Sequence, residues 1–265
     1  MNTVPPPFGP LLAELLLPRH CLACQAPLAD AAAPLALCRR CHGRLAPVDP
    51  RRCCRRCLRP QPASTTGLPC CVGCATRPGA LHRLVAVWWY REPLRSVVHA
   101  FKFRRLDFLA DGLTREALTR EPLASLPAID CVVPVPLALW RRLGRGFNQA
   151  ERIARQVARA LDRPLVDGLA RRSLLSRRQS GLGRLARRQN RLSGWTLRSA
   201  CLPQLVGRSV LLVDDVVTTG ATLAALAELL QRSGAREICA FALAATPEQA
   251  LEALPGRLDR ASPAP

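Results

Sequence analysis

Val210-Leu211-Leu212-Val213-Asp214-Asp215-Val216-Val217-Thr218-Thr219-Gly220-Ala221-Thr222 is the stretch whose reading decides the fold. Val210 to Val213 reads as a buried strand that delivers two adjacent carboxylates to its C-terminal end, the rim where open α/β sheets bind ligands. The turn that follows is built of small and hydroxylated residues and opens onto a helix from Thr222 to about Arg232. Small residues let backbone N–H groups approach a phosphate, and the positive end of a helix favours its charge. The hydroxyls of Thr218, Thr219 and Thr222 add donors, while Gly220 and Ala221 leave room. Asp214 and Asp215 repel a phosphate; they suit the hydroxyls of a sugar, which carboxylates accept well. That use requires both carboxylates to be free of internal ion pairs.

Outward from this stretch, strands and helices alternate. Arg83 to Tyr90 and Ile129 to Val135 read as strands, as does Ile238 to Ala244. Helices are expected from Glu92 through about Phe103, from Asp107 to Arg120, and from a cap at Asn148 to about Leu161. This order predicts an α/β fold, with a mostly parallel sheet covered by helices on both faces. A partly helical leader is expected at 1–18, a cysteine-rich unit at 19–80, the α/β domain at 81–250 and a flexible tail at 251–265.

The cysteine-rich unit is a tandem repeat. Cys21 and Cys24 form one CxxC, and Cys38 and Cys41 a second one after 13 intervening residues. Cys54, Cys57, Cys71 and Cys74 repeat that pattern 33 positions later, and Pro27 and Pro60 keep the same offset. A CxxC turn lets two thiolates face one cation, and two such turns complete a tetrahedral set with no open position. Two structural Zn2+ ions are therefore expected in a double zinc ribbon. Each half is too small to bury a useful core, so metal binding would supply its folding free energy. Spacing alone leaves open whether ligands pair within each quartet or across the two.

The chain carries 39 Lys+Arg against 19 Asp+Glu, and Lys102 is its only lysine. Arginine suits bidentate contact with phosphate, but a codon bias toward Arg, Ala, Pro and Leu gives the same composition. Leu11 to Leu17 is apolar yet far short of the roughly 20 residues a bilayer requires, and no export signal is read. Thirteen cysteines under those conditions point to metal or free thiols in a cytoplasmic protein.

Across all thirteen positions, 210–222 resembles the phosphoribosyl-diphosphate motif of type I phosphoribosyltransferases. The resemblance implies that Asp214 and Asp215 contact the ribose 2′- and 3′-hydroxyls while Thr218 to Thr222 hold the 5-phosphate. His99-Ala100-Phe101-Lys102-Phe103, Val133-Pro134-Val135-Pro136-Leu137 with Arg145-Gly146-Phe147-Asn148-Gln149, and the set Gln179, Leu182, Arg187 and Asn190 narrow it to the ComF/GntX-type, competence-associated family. It covers roughly residues 20 to 245. By that resemblance Val133 to Gln149 is the pyrophosphate loop, where Arg141, Arg142 and Arg145 would clamp a diphosphate; a solvated turn is the alternative. Pro136 also permits a cis Val135–Pro136 bond.

Residues 168 to 213 contain no acidic side chain. The family's mobile hood lies here, and Arg187 and its neighbours would close over the diphosphate. The same charge also suits a nucleic-acid backbone or a plain solvated loop. His99 and Lys102 share one helix face, and only the resemblance gives them a functional role.

Three functions follow. One is an enzyme that binds phosphoribosyl diphosphate with Mg2+ and transfers the phosphoribosyl group to a nitrogen nucleophile. Another is a single-stranded-DNA-handling protein that keeps the site as a sensor, acting in natural transformation beside a competence helicase or related factors. The third is a structural adaptor.

Overall fold

The computed structural model describes residues 20–28, 33–62, 70–76, 79–104, 106–136, 148–172 and 195–247. The elements run α1 (Arg39–His42), α2 (Val72–Ala75), β1 (Arg83–Trp89), α3 (Leu94–Phe103), α4 (Phe108–Leu118), β2 (Cys131–Pro134), α5 (Gln149–Leu161), β3 (Ala170–Arg172), β4 (Trp195–Leu197), β5 (Ser209–Val217), α6 (Ala221–Arg232) and β6 (Glu237–Ala245).

Four strands form one parallel sheet in the order β1-β6-β5-β2. The central strands β5 and β6 are apolar along nearly their whole length, as strands covered on both faces must be. Leu211, Val213 and Phe241 pack with Phe101 of α3, Leu113 of α4 and Ile153 of α5. Val210, Leu212, Ala240 and Ala242 line the opposite face with Leu223, Leu226 and Leu230 of α6. The expected α/β class with helices on both faces is the class observed.

Face alternation, the rule for any strand, slips by one in three neighbouring strands at the same level. Val87 and Trp88 of β1 both belong to the α3–α5 face, as do Leu243 and Ala244 of β6; on β5, Val213 and Val216 share that face while Val217 returns to the other. Asp214 and Asp215 lie within this slip. Such irregularities bend a sheet and re-aim side chains next to sites.

Local boundaries differ from the sequence reading in three places. β5 continues through the acidic pair to Val217, so the carboxylates sit inside the strand rather than after it. β2 is confined to Cys131–Pro134. The cis peptide among the described residues is Glu92–Pro93, not Val135–Pro136.

The 33-residue repeat is written in the backbone. Cys21 N donates to Ala26 O and Gln25 N to Cys21 O; Cys54 N to Arg59 O and Leu58 N to Cys54 O repeat both bonds one period later. Gln25 and Leu58 share a left-handed φ of 62° and 61°, and α1 and α2 begin one period apart. The two copies nevertheless dock differently. Cys21, Leu35, Leu37, Cys41 and Leu45 join the core shared by α3, α4 and α5, and His42 Nε2 lies 2.9 Å from Glu116 Oε2 on α4. Cys54, Cys57 and Cys74 form a small cluster of their own. Arg56 ties this second copy to the approach to β1, donating to Leu81 O at 3.0 Å, to Cys74 O at 3.1 Å and to Gly79 O. The chain between the copies covers the outer edge of β1: Val48 N donates to Val87 O and Trp89 N to Ala46 O.

Candidate functional site

β2 accompanies β5 only as far as Pro134, opposite Val213. Asp214 is thus the first residue of β5 with no β2 neighbour, and a notch opens at the C-terminal rim of the sheet. Asp214 stands in register with Ala242, which lines the α6 face, whereas Asp215 reaches Lys102 on the α3–α5 side. Each carboxylate folds back on the backbone: Asp214 Oδ1 accepts from Asp215 N at 2.8 Å, and Asp215 Oδ1 from Val216 N at 2.7 Å.

Asp215 is 9% exposed, and its Oδ2 lies 2.8 Å from Lys102 Nζ at the end of α3. The sequence reading required both carboxylates to be free of internal ion pairs; Asp215 is not. Asp214 forms no ion pair among the described residues. Burial, then the charge of Asp215, raises Asp214 from the ordinary carboxylate value to about 7, against the opposing pull of Lys102. The sequence analysis left Lys102 without a partner. The signal that marks it is compositional, for it is the sole lysine among 39 basic residues.

The small-residue turn begins directly beyond β5. Thr218 O accepts from Thr246 Oγ1 at 2.8 Å, which pins the turn to the end of β6. Gly220 adopts φ 68°, a left-handed conformation that glycine reaches at little cost, and caps α6 without a side chain. Thr219 Oγ1 accepts from Ala221 N at 3.4 Å. Thr218 and Thr222 are exposed and Thr219, Gly220 and Ala221 half-buried, so the turn presents hydroxyls and amides to solvent on the side that Asp214 faces. Asp214, Thr218, Thr219, Gly220, Ala221 and Thr222 are thereby brought together, and Asp215 is turned to the lysine.

Arg141, Arg142, Arg145 and Arg187 lie outside the described residues. What flanks them is defined. Asn148 caps α5 by accepting from Ala150 N at 3.2 Å and donates from Nδ2 to Val135 O at 3.2 Å, joining the two ends of the 137–147 segment. Next to it the buried Gln149 leaves Nε2 without a partner among the described residues. β3 and β4 pair antiparallel and bracket the arginine-rich segment at 173–194; three-residue strands leave too little periodicity to be read from sequence.

Cys21, Cys24, Cys38 and Cys41 bring their sulfurs within 4.8 Å of one another, and Cys54, Cys57, Cys71 and Cys74 do the same. Pairing is within each quartet. Cys24 and Cys38 Sγ are 3.7 Å apart, as are Cys57 and Cys71 one period on. Thiolates placed tetrahedrally about 2.3 Å from a zinc ion lie roughly 3.8 Å from each other, so both quartets fit such an ion. Neither offers a site for a substrate.

Comparison with known proteins bears on the whole arrangement. The family model of the phosphoribosyl transferase domain matches residues 148–254, from α5 through the acidic pair and past β6. A DNA utilization protein, YhgH of Escherichia coli O157:H7, is 34% identical over 239 residues, covering 88% of this chain and 99% of the relative. Competence protein F of Haemophilus influenzae is 34% identical over 180 residues, 66% of this chain and 77% of the relative. Competence protein ComFC of Streptococcus pneumoniae is 28% identical over 207 residues, 78% of this chain and 86% of the relative. No helix among the described residues is long and apolar enough to cross a membrane. With paired cysteine units ahead of a phosphoribosyl transferase domain, and relatives matched over nearly their full length, the chain belongs to the ComF/GntX-type family of phosphoribosyltransferase-like proteins.

Proposed function

We propose that this chain binds phosphoribosyl diphosphate, or a related ribose 5-phosphate, at Asp214 to Thr222, and that it serves the use of external DNA or natural transformation in the cytoplasm. One observation carries the reading: where β2 stops, Asp214, free of ion pairs among the described residues and in register with Ala242, lies on the same side of the sheet as the amide-rich start of α6. Asp214 accepts the sugar hydroxyls, and the turn of Thr218 to Thr222 takes the phosphate. Lys102 and Asp215 hold the strand end in place and limit its negative charge.

Asp214 is also the hard oxygen donor that suits Mg2+, which would supply charge neutralisation at a departing diphosphate. The Nε2 of Gln149, unpartnered among the described residues, stands beside the loop where the resemblance puts the diphosphate, with Arg141, Arg142, Arg145 and Arg187 as its proposed clamp and hood. Transfer to a nitrogen nucleophile would need little covalent help, since positioning and charge neutralisation supply most of the effect. Each cysteine quartet holds one structural Zn2+.

The relatives are a DNA utilization protein and competence proteins, which supports a second reading: the site is a sensor on a protein that handles single-stranded DNA beside a helicase. The test begins with thermal stability: phosphoribosyl diphosphate with Mg2+ is expected to raise Tm, and Asp214→Asn to abolish the rise. A gain that survives Asp214→Asn would move the site elsewhere. A product assay with a panel of nucleobases then separates turnover from sensing.

A further inference from the structure

The two carboxylates at the rim are not equivalent, and the difference bears on which sugar the site receives. Asp215 has both oxygens engaged, Oδ1 by Val216 N at 2.7 Å and Oδ2 by Lys102 Nζ at 2.8 Å. Its side chain is 12% exposed and that of Lys102 18%, so a bound sugar meets little of either. A neutral hydroxyl does not displace an ammonium from such a carboxylate, because breaking the pair leaves two poorly solvated charges. Asp214 is the more open of the two. Its Oδ1 accepts from Asp215 N at 2.8 Å, and its Oδ2 has no partner among the described residues. The pair therefore offers a sugar one free oxygen, on the α6 side of the sheet, where Asp214 is in register with Ala242.

One free oxygen holds one hydroxyl. In a pentose 5-phosphate the 3-hydroxyl lies one carbon nearer the phosphate than the 2-hydroxyl does. Asp214 shares its side of the sheet with the turn at 218–222 that opens α6, so the hydroxyl it meets is the 3-hydroxyl. The 2-hydroxyl is then met by neither carboxylate. A site rejects a ligand that lacks a hydroxyl when the group built to bond that hydroxyl is left unpaired. Asp215, already satisfied by Val216 and Lys102, is not left unpaired when the 2-hydroxyl is missing.

We infer that the sugar subsite holds 2-deoxyribose 5-phosphate as readily as ribose 5-phosphate, which brings deoxynucleoside 5′-phosphates into its ligand class. The inference rests on the phosphoribosyl reading of 214–222 and narrows it to a single hydroxyl contact. That hydroxyl must be free, so the ligand is a mononucleotide rather than an internal link of a DNA strand. Hydrolysis of DNA to 5′-mononucleotides is the class of reaction that supplies it.

Isothermal titration calorimetry on the full metal-loaded chain tests it, with Mg2+ present and at pH 8, above the value of about 7 at which Asp214 ionises. The probes are ribose 5-phosphate, 2-deoxyribose 5-phosphate and inorganic phosphate. The two sugar phosphates are expected to bind within about threefold of each other, and both more tightly than inorganic phosphate. Asp214→Asn is expected to weaken both by the same factor, roughly tenfold or more, the effect of losing one hydrogen bond to a charged group. A preference for ribose 5-phosphate of about tenfold or more overturns the inference and leaves the phosphoribosyl reading in place. A loss in Asp214→Asn confined to ribose 5-phosphate does the same, since it marks the 2-hydroxyl as the group held. Binding of neither sugar phosphate beyond that of inorganic phosphate overturns both.

Discussion

Lys102 stands alone as an ammonium in a chain that otherwise uses guanidinium, and it occupies the one described position where a cation meets the acidic pair. An ammonium is a compact point charge on a flexible stem, whereas a guanidinium needs planar, bidentate partners. Asp215 offers it one oxygen, because the other already accepts from Val216 N. Lys102→Met would strand a nearly buried carboxylate and is expected to lower stability by roughly 2–4 kcal/mol in urea denaturation at pH 7. Adding Asp215→Asn should recover much of that loss, as a double-mutant cycle would register. Asp214 gives a second prediction. In the unfolded chain it ionises near 3.8, while the fold resists ionisation until about 7. Stability therefore falls as pH rises through that window, and above it the whole penalty is present. Asp214→Asn removes the penalty, so its Tm advantage over the unmodified protein should be larger at pH 8 than at pH 5. Composition flagged the lysine but no local pattern named its partner, since the pair is made only when α3 folds over β5.

The junction of β2 with α5 shows how one residue can secure two elements. Asn148 both caps α5 and holds the last carbonyl of the β2 arm. Asn148→Ala is expected to cost about 1–2 kcal/mol from the lost cap and more from the orphaned Val135 carbonyl. Asn148→Asp keeps the acceptor, loses the donor, and should fall between the two in denaturant titration. The cap was legible because an asparagine precedes a helical apolar period. The extent of β5 was not. Asp214 and Asp215 interrupt the apolar run after Val213, yet the strand continues because β6 goes on pairing with it, Asp214 opposite Ala242 and Val216 opposite Ala244. Sheet pairing here overrides local composition. The slip in alternation was equally hidden, since it belongs to three strands at once.

The two cysteine quartets join the core unequally. Cys21 and Cys41 share a packed cluster with Trp88, Leu109 and Leu113, whereas Cys54, Cys57 and Cys74 pack among themselves. Cys41→Ser is therefore expected to lower the main thermal transition and to blunt stabilisation by phosphoribosyl diphosphate. Cys57→Ser should cost about one equivalent of zinc while leaving that transition nearly in place; metal analysis beside calorimetry distinguishes the two. The sulfur spacing made the duplication readable, but nothing in the spacing says which copy turns inward, because Leu35, Leu37 and Leu45 acquire meaning only against α4. A consequence follows for supply. Since one quartet is set in the foundation of the phosphoribosyltransferase-like domain and the other in an annexe, growth under zinc starvation is expected to empty the annexe first and the foundation last.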